Sequence, residues 1–417
     1  MPRMAVRTPE FDVPPTAGLP LQASDLWPGG DADLEGALAR FLGVESAQLE
    51  CSGTAALVVA LTALKQLAPA RREVVVPAYT CPLVALAVAH CGLVLRLCDL
   101  QADSLDLDPA ALAALCGPQT LAVLPTHLAG RVADVASALA CARAAGAWVI
   151  EDAAQALGAR LGATAVGLQG DIGFYSLAVG KGLSIFEGGV LVARDAALRA
   201  ACRAASRATV PASWAWELRR SLELLGYAAL YRPAGLRWAY GAPLRRALAR
   251  GDRVQAAGDD FSLRIPLHRP GRWRRAVGVR ALQRLPAFLA EGAQRAARRR
   301  ARLARIPGIT LLADSPAAPG AAGTWPVLLL LLPDQARRDA LLRDHWGAGL
   351  GLGLPFVHAL PDYPQYAAAV PPAAPTALPH ARALAARLLA VSNSPWLDEA
   401  RFERICAALI NIDSMKP

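Results

Sequence analysis

From Ser24 to about Arg199 the chain alternates short aliphatic runs with alanine-rich segments, and no other feature constrains the fold as tightly. The runs at 73–76, 94–98, 121–124, 147–151, 172–176 and 189–193 have the length of buried strands. The segments between them, such as 55–66 and 135–145, read as helices. Strands separated by helices pair mostly in parallel, through crossover connections. Sheets of this kind bind ligands at the carboxyl ends of their strands. The expectation is an α/β fold with a mostly parallel central sheet and helices on both faces.

The rhythm breaks at 205–265, where Trp214, Trp216, Tyr227, Tyr231, Trp238 and Tyr240 mix with arginines and with Pro233, Gly235, Gly241 and Pro243. This predicts an inserted helical segment. From about Trp273 one long helix is expected to run through Arg295, Arg298, Arg299, Arg300, Arg302 and Arg305. Arginines spread around a helix favour a solvated face over a nucleic-acid groove. Strands near 309–312 and 326–332 and helices near 334–343 and 380–389 complete a smaller α+β part. The expected division is 1–204, 205–265 and 266–417.

The 417 residues are 54% hydrophobic, which suits a well-cored protein. No apolar run approaches the roughly 20 residues of a membrane-spanning helix. The N-terminus, with Pro2, Arg3, Glu10 and Asp12, lacks the apolar core of a secretory signal. Eight scattered cysteines form no C-x-x-C pair and read as core residues of a reduced, cytoplasmic protein; no metal site is expected. The net charge of +10 favours anionic partners, although heavy Ala, Arg, Leu and Pro use accounts for it equally well.

Four local signals bear on chemistry. Ser52-Gly53-Thr54 opens a helix, whose free N–H groups and dipole suit a phosphate; the ordinary reading is an N-cap. Glu151-Asp152 ends a strand, with Gln155 three residues on. A carboxylate there suits a protonated ring nitrogen and the amide a phenolic oxygen; the ordinary reading is an acidic helix cap. Third comes Gly170-Asp171-Ile172-Gly173-Phe174-Tyr175-Ser176, then Lys181 and Glu187-Gly188-Gly189. Lysine is rare in this arginine-rich chain. Unlike guanidinium, its amine becomes a nucleophile once burial or positive charge lowers its pKa. Ser176 suits a phosphate, and the ordinary reading of Lys181 is an exposed loop residue. Fourth, His127 at a strand end reads as a structural donor.

Together these stretches resemble the DegT/StrS family of sugar aminotransferases. The matching motifs are Ser-Gly-Thr-Ala-Ala-Leu at 52–57, Val-Pro-Ala-Tyr-Thr at 76–80, Thr-His-Leu-Ala-Gly at 126–130, Glu-Asp-Ala-Ala-Gln-Ala at 151–156, Gly-Asp-Ile-Gly-Phe-Tyr-Ser at 170–176, Lys181 and Glu-Gly-Gly at 187–189. The resemblance implies a type I fold of PLP-dependent transferases, with pyridoxal 5'-phosphate (PLP) as cofactor. It implies that Lys181 carries the cofactor and moves the proton, that Asp152 pairs with the ring nitrogen and that Gln155 meets the phenolic oxygen. Gly53, Thr54 and Ser176 would hold the phosphate. It further implies a homodimer whose sites borrow residues across the interface, Arg269 being the donor expected here. The substrates would be a nucleotide-linked keto sugar and an amino acid, glutamate first, in polysaccharide, lipopolysaccharide or other glycan-precursor biosynthesis.

The chain also departs from the family. Cys81 stands where the family places an aromatic that stacks on the cofactor ring, so either Tyr79 takes over the stacking or the ring has no aromatic neighbour. Leu267-His268-Arg269 replaces an Asn-x-Arg stretch. A PLP-dependent sugar dehydratase is the alternative within the family, but its members carry histidine at the Lys181 position. A catalytically silent PLP-binding regulator is a third reading, disfavoured by the presence of Lys181 and Asp152. For the segment 205–265 a packing cap is favoured, then a substrate lid, with peripheral membrane contact last.

Overall fold

The computed structural model describes residues 9–374 and 376–411. A seven-stranded sheet runs in the order Gln48–Glu50, Gly189–Ala193, Ile172–Ser176, Trp148–Asp152, Thr120–Val123, Glu73–Pro77, Val94–Cys98. From Ile172–Ser176 to the Val94–Cys98 edge every pairing is parallel, whereas Gly189–Ala193 and the edge strand Gln48–Glu50 pair antiparallel. Side chains alternate across the sheet. Val74 and Val76 pack with Leu57, Leu61 and Leu64 of helix Gly53–Leu67. Val75, Val123 and Val149 face the other way, onto Leu112, Val135, Ala138 and Ala142. This period of two, with a helical layer on each side, buries both faces.

The C-terminal part carries a four-stranded antiparallel sheet, ordered Thr310–Leu311, Val327–Leu331, Leu388–Ser392, Leu352–Gly353. Leu388–Ser392 falls partly inside the helix expected at 380–389. Helix Pro379–Arg387 stops at Arg387, and five consecutive buried residues follow as strand. The short pairings of Gln48–Glu50 and of Arg160–Leu161 with Ala321–Ala322 were also not anticipated, being too short to show a period.

The single helix expected from Trp273 is two helices, Arg272–Leu282 and Leu285–Leu303. Pro286 explains the break: it has no N–H to give to the carbonyl of Leu282, and its ring clashes with that turn. The solvated arginine face is likewise corrected. Arg299 is buried and donates to Asn393 Oδ1 (3.1 Å) and to the Ser392 and Ser394 carbonyls (both 3.3 Å). Arg300 lies over the Trp325 ring at 4.2 Å.

Helices Trp214–Leu230, Pro233–Leu236, Ala242–Ala249 and Arg253–Ala257 occupy much of 205–265, and helix Ala196–Thr209 runs unbroken across position 204. Leu224, Tyr227, Tyr231 and Leu236 bury themselves with Val277. Trp214 and Trp238 remain 80% and 67% exposed. The Tyr231 hydroxyl accepts from Gly18 N–H at 3.0 Å. Gly18 in turn bridges Gly182, next to Lys181, so the insertion braces the lysine loop through the N-terminal segment. No helix among the described residues is long and apolar enough to cross a membrane.

Candidate active site

Glu151 and Asp152 are neighbours on one strand, so their side chains leave opposite faces of the sheet. Glu151 is fully buried and accepts from Gln169 N–H and Gly170 N–H (both 2.6 Å), from Gly167 N–H (2.8 Å) and from His127 Nε2 (3.0 Å). His127 Nδ1 accepts from Ala133 N–H at 3.0 Å, which fixes the ring proton on Nε2. His127 is thus a satisfied structural donor. Asp171 is also committed, to Val149 N–H (2.8 Å) and to Arg143 (2.7 and 3.0 Å).

Asp152 is different. It is 5% exposed, and Ala154 N–H (3.0 Å) is its hydrogen-bond donor within the chain. Burial raises its pKa, opposed by that N–H and by the charge of Lys181. Lys181 sits on the loop between Ile172–Ser176 and Gly189–Ala193, where Gly180 and Gly182 both have positive φ. Burial lowers its pKa, while Cys81 and Asp152 pull it up. The amine is therefore biased toward its neutral, nucleophilic form beside a carboxylate in want of a cation.

At the first turn of helix Gly53–Leu67, Ser52 caps by accepting from Ala55 N–H at 3.0 Å. A Cβ on Gly53 would stand 3.1 Å from the Ser176 Cβ, so a larger residue would crowd the space between this helix start and Ser176. Behind it, a Cβ on Gly189 would stand 2.0 Å from the Ser52 carbonyl oxygen. The antiparallel return strand lies directly under the turn, and any side chain there would displace it.

Gln155 accepts from Ala129 N–H at 2.8 Å, which orients its amide group; it lines a cleft together with Lys181. Cys81 caps helix Pro82–His90 and feels the charges of both Lys181 and Asp152; burial pushes its thiol up to about 12. Tyr79 is not available to stack in its place. Its hydroxyl donates to the Phe356 carbonyl (2.9 Å) and accepts from Phe356 N–H (3.2 Å), and its ring meets Phe356 edge-on. Arg269 does not line the Lys181 cleft. It lies in a separate pocket at the edge strand with Glu50 and Arg203, where its Nε donates to the Val210 carbonyl at 3.1 Å. Sequence reasoning missed Arg295, Thr324 and Trp325, which line the Lys181 cleft from the C-terminal part.

An anion cradle at a helix start, a buried carboxylate and a desolvated lysine fit the three ends of a PLP molecule. The model of the DegT/DnrJ/EryC1/StrS aminotransferase family matches residues 27–227 and 273–410. The chain belongs to this family. The unmatched stretch 228–272 falls largely within the helical insertion. GDP-perosamine synthase of Caulobacter vibrioides is 37% identical over 171 residues, 41% of this chain and 46% of that protein. Like it, the first curated relatives are matched over less than half their length. Among solved structures, DesV of S. venezuelae is 25% identical with a TM-score of 0.67, covering 94% of this chain and 90% of its own. The sugar aminotransferase CalS13 of Micromonospora echinospora is 21% identical with a TM-score of 0.70, covering 96% of this chain and 100% of its own, and shows the shared fold.

Proposed function

We propose that the chain is a PLP-dependent aminotransferase that moves an amino group from an amino acid, glutamate first, to a nucleotide-linked keto sugar in glycan-precursor biosynthesis. The observation that carries this reading is a buried Lys181 close enough to feel the charge of the buried Asp152, which accepts from Ala154 N–H. The cofactor, when bound, supplies an electron-withdrawing ring at which a neighbouring carbon–hydrogen bond becomes acidic. Asp152 would hold the ring nitrogen protonated. Lys181 would carry the cofactor and hold and move the transferred proton at its Nζ. Gly53, Thr54 and Ser176 would bind the phosphate, and Gln155 would offer its amide to the phenolic oxygen. Cys81 replaces the family's usual aromatic, so it would give the ring no stacking partner.

The working assembly in this reading is a homodimer. Arg269, held away from its own Lys181 at the sheet edge, would reach the neighbouring subunit's site. The eight free cysteines suit the cytoplasm. The test is direct. The aminated cofactor form is mixed with keto-sugar nucleotides, and one of them should restore the PLP absorbance. Borohydride should fix the cofactor on Lys181. Labelling of another lysine refutes the site, and light scattering that shows a fully active monomer refutes the assembly.

A further inference from the structure

The cleft beside Lys181 holds a second cation for which the proposed cofactor has no use. Arg295 enters it from helix Leu285–Leu303. Its Nε donates to the Asn393 carbonyl at 2.9 Å, but Nη2 is buried with no hydrogen-bond partner. Thr324 lines the same cleft, but its hydroxyl turns toward Gly130. Among the described residues no aspartate or glutamate lines it. A guanidinium stays charged at any working pH, and a buried charged donor left unpaired is costly. Glu291 acts on Arg295 through its charge but does not line the cleft, so Nη2, beside Gly292 of the cleft wall, is completed by an anionic oxygen. The phosphate cradle at Gly53, Thr54 and Ser176 is a separate place, since none of its residues lines this cleft. Gln155, Lys181, Phe288 and Trp325 line the same cleft.

We infer that Arg295 anchors a substrate carboxylate in this cleft. The inference rests on the aminotransferase reading for its substrates. The carboxylate belongs either to the amino-acid donor or to an acid-bearing sugar acceptor.

The test uses the PLP-loaded protein and glutarate, a dicarboxylate that has no amine to react. Calorimetric titration should show Arg295→Gln weakening glutarate roughly 10- to 100-fold. Arg295→Lys should keep part of the affinity. Unchanged PLP absorbance and melting temperature show that the variants are folded and loaded. The two half-reactions then identify the source. A raised KM for glutamate with unchanged kcat, and an unmoved acceptor step, assigns the carboxylate to the donor. A raised KM confined to an acid-bearing sugar assigns it to the acceptor. Wild-type protein that binds glutarate through Arg295 but transaminates nothing keeps the anchor and sinks the enzyme reading. Equal glutarate affinity in wild type and Arg295→Gln, with both half-reactions unchanged, overturns the inference.

Discussion

Replacing Glu151 by glutamine changes one atom next to the proposed site residue Asp152, yet it should act on stability alone. The carboxylate accepts two backbone N–H groups on Oε1 and a third, with the His127 Nε2–H, on Oε2. An amide offers one oxygen and one NH2. Whichever way it turns, two donors inside the protein face another donor. His127 cannot relieve the conflict by moving its proton, because Nδ1 is already taken by Ala133 N–H. Hydrogen bonds to charged groups contribute about 1.5–3 kcal/mol each, so losing two costs about 3–6 kcal/mol. Domains have only about 5–15 kcal/mol to lose. Glu151→Gln should therefore lower the urea midpoint sharply, while molecules that remain folded keep a full complement of PLP. The assay is urea denaturation followed by circular dichroism, with cofactor absorbance read on the folded fraction. A midpoint within error of wild type would refute the reasoning, and so would normal stability without bound cofactor.

Asp152→Asn should show the reverse: an unchanged urea midpoint and bound PLP, with turnover lower by orders of magnitude in single-turnover kinetics. Gly189→Ala places a Cβ against the Ser52 carbonyl oxygen, 2.0 Å away before relaxation. It should weaken PLP binding more than it lowers melting temperature, and equal PLP affinity would contradict a phosphate turn braced from behind. Asp259 is 2% exposed and titrates near 6, raised mainly by burial and opposed by Tyr363 Oη–H (2.6 Å) and Val357 N–H (2.8 Å). Between its unfolded value of about 4 and that value, the folded chain binds the extra proton. Its stability contribution is thus full below about pH 4 and falls as pH rises through 6, by at most about 3 kcal/mol. Melting curves of wild type and Asp259→Asn should draw apart over that window, and parallel pH profiles would show that Asp259 titrates normally.

Much of the sheet was legible in the sequence because most of its strands are apolar runs closed by a polar turn. The expected runs at 94–98, 172–176 and 189–193 coincide with observed strands. What stayed hidden depends on partners distant in sequence. Gln48–Glu50 is a strand only because Gly189–Ala193 offers it an edge. Arg299 is buried only because the carbonyls near Ser392 converge on it. Arg295 looked like one more surface charge in a basic helix, and nothing local marks it out. Its signal lies in the fold, in an unpaired nitrogen beside Lys181. Tyr79 shows the same limit from the other side: its position in the Val-Pro-Ala-Tyr-Thr motif allows ring stacking, and Phe356, nearly 280 residues later, takes the hydroxyl instead.

The strand end at Glu151-Asp152 shows how one short motif can serve two purposes. The period of two sends adjacent carboxylates to opposite faces. On one face, Glu151 is saturated by donors from a single loop and from His127, so its charge is committed to holding the polypeptide. On the other, Asp152 keeps one N–H partner and looks toward Lys181, so its charge is still available. Were both carboxylates on one face, their repulsion would add to the burial that already raises the Asp152 pKa. Separation by the sheet lets the scaffold be rigid without consuming the electrostatics of the site. It also explains why the two substitutions above should fail in different assays although the residues share a peptide bond.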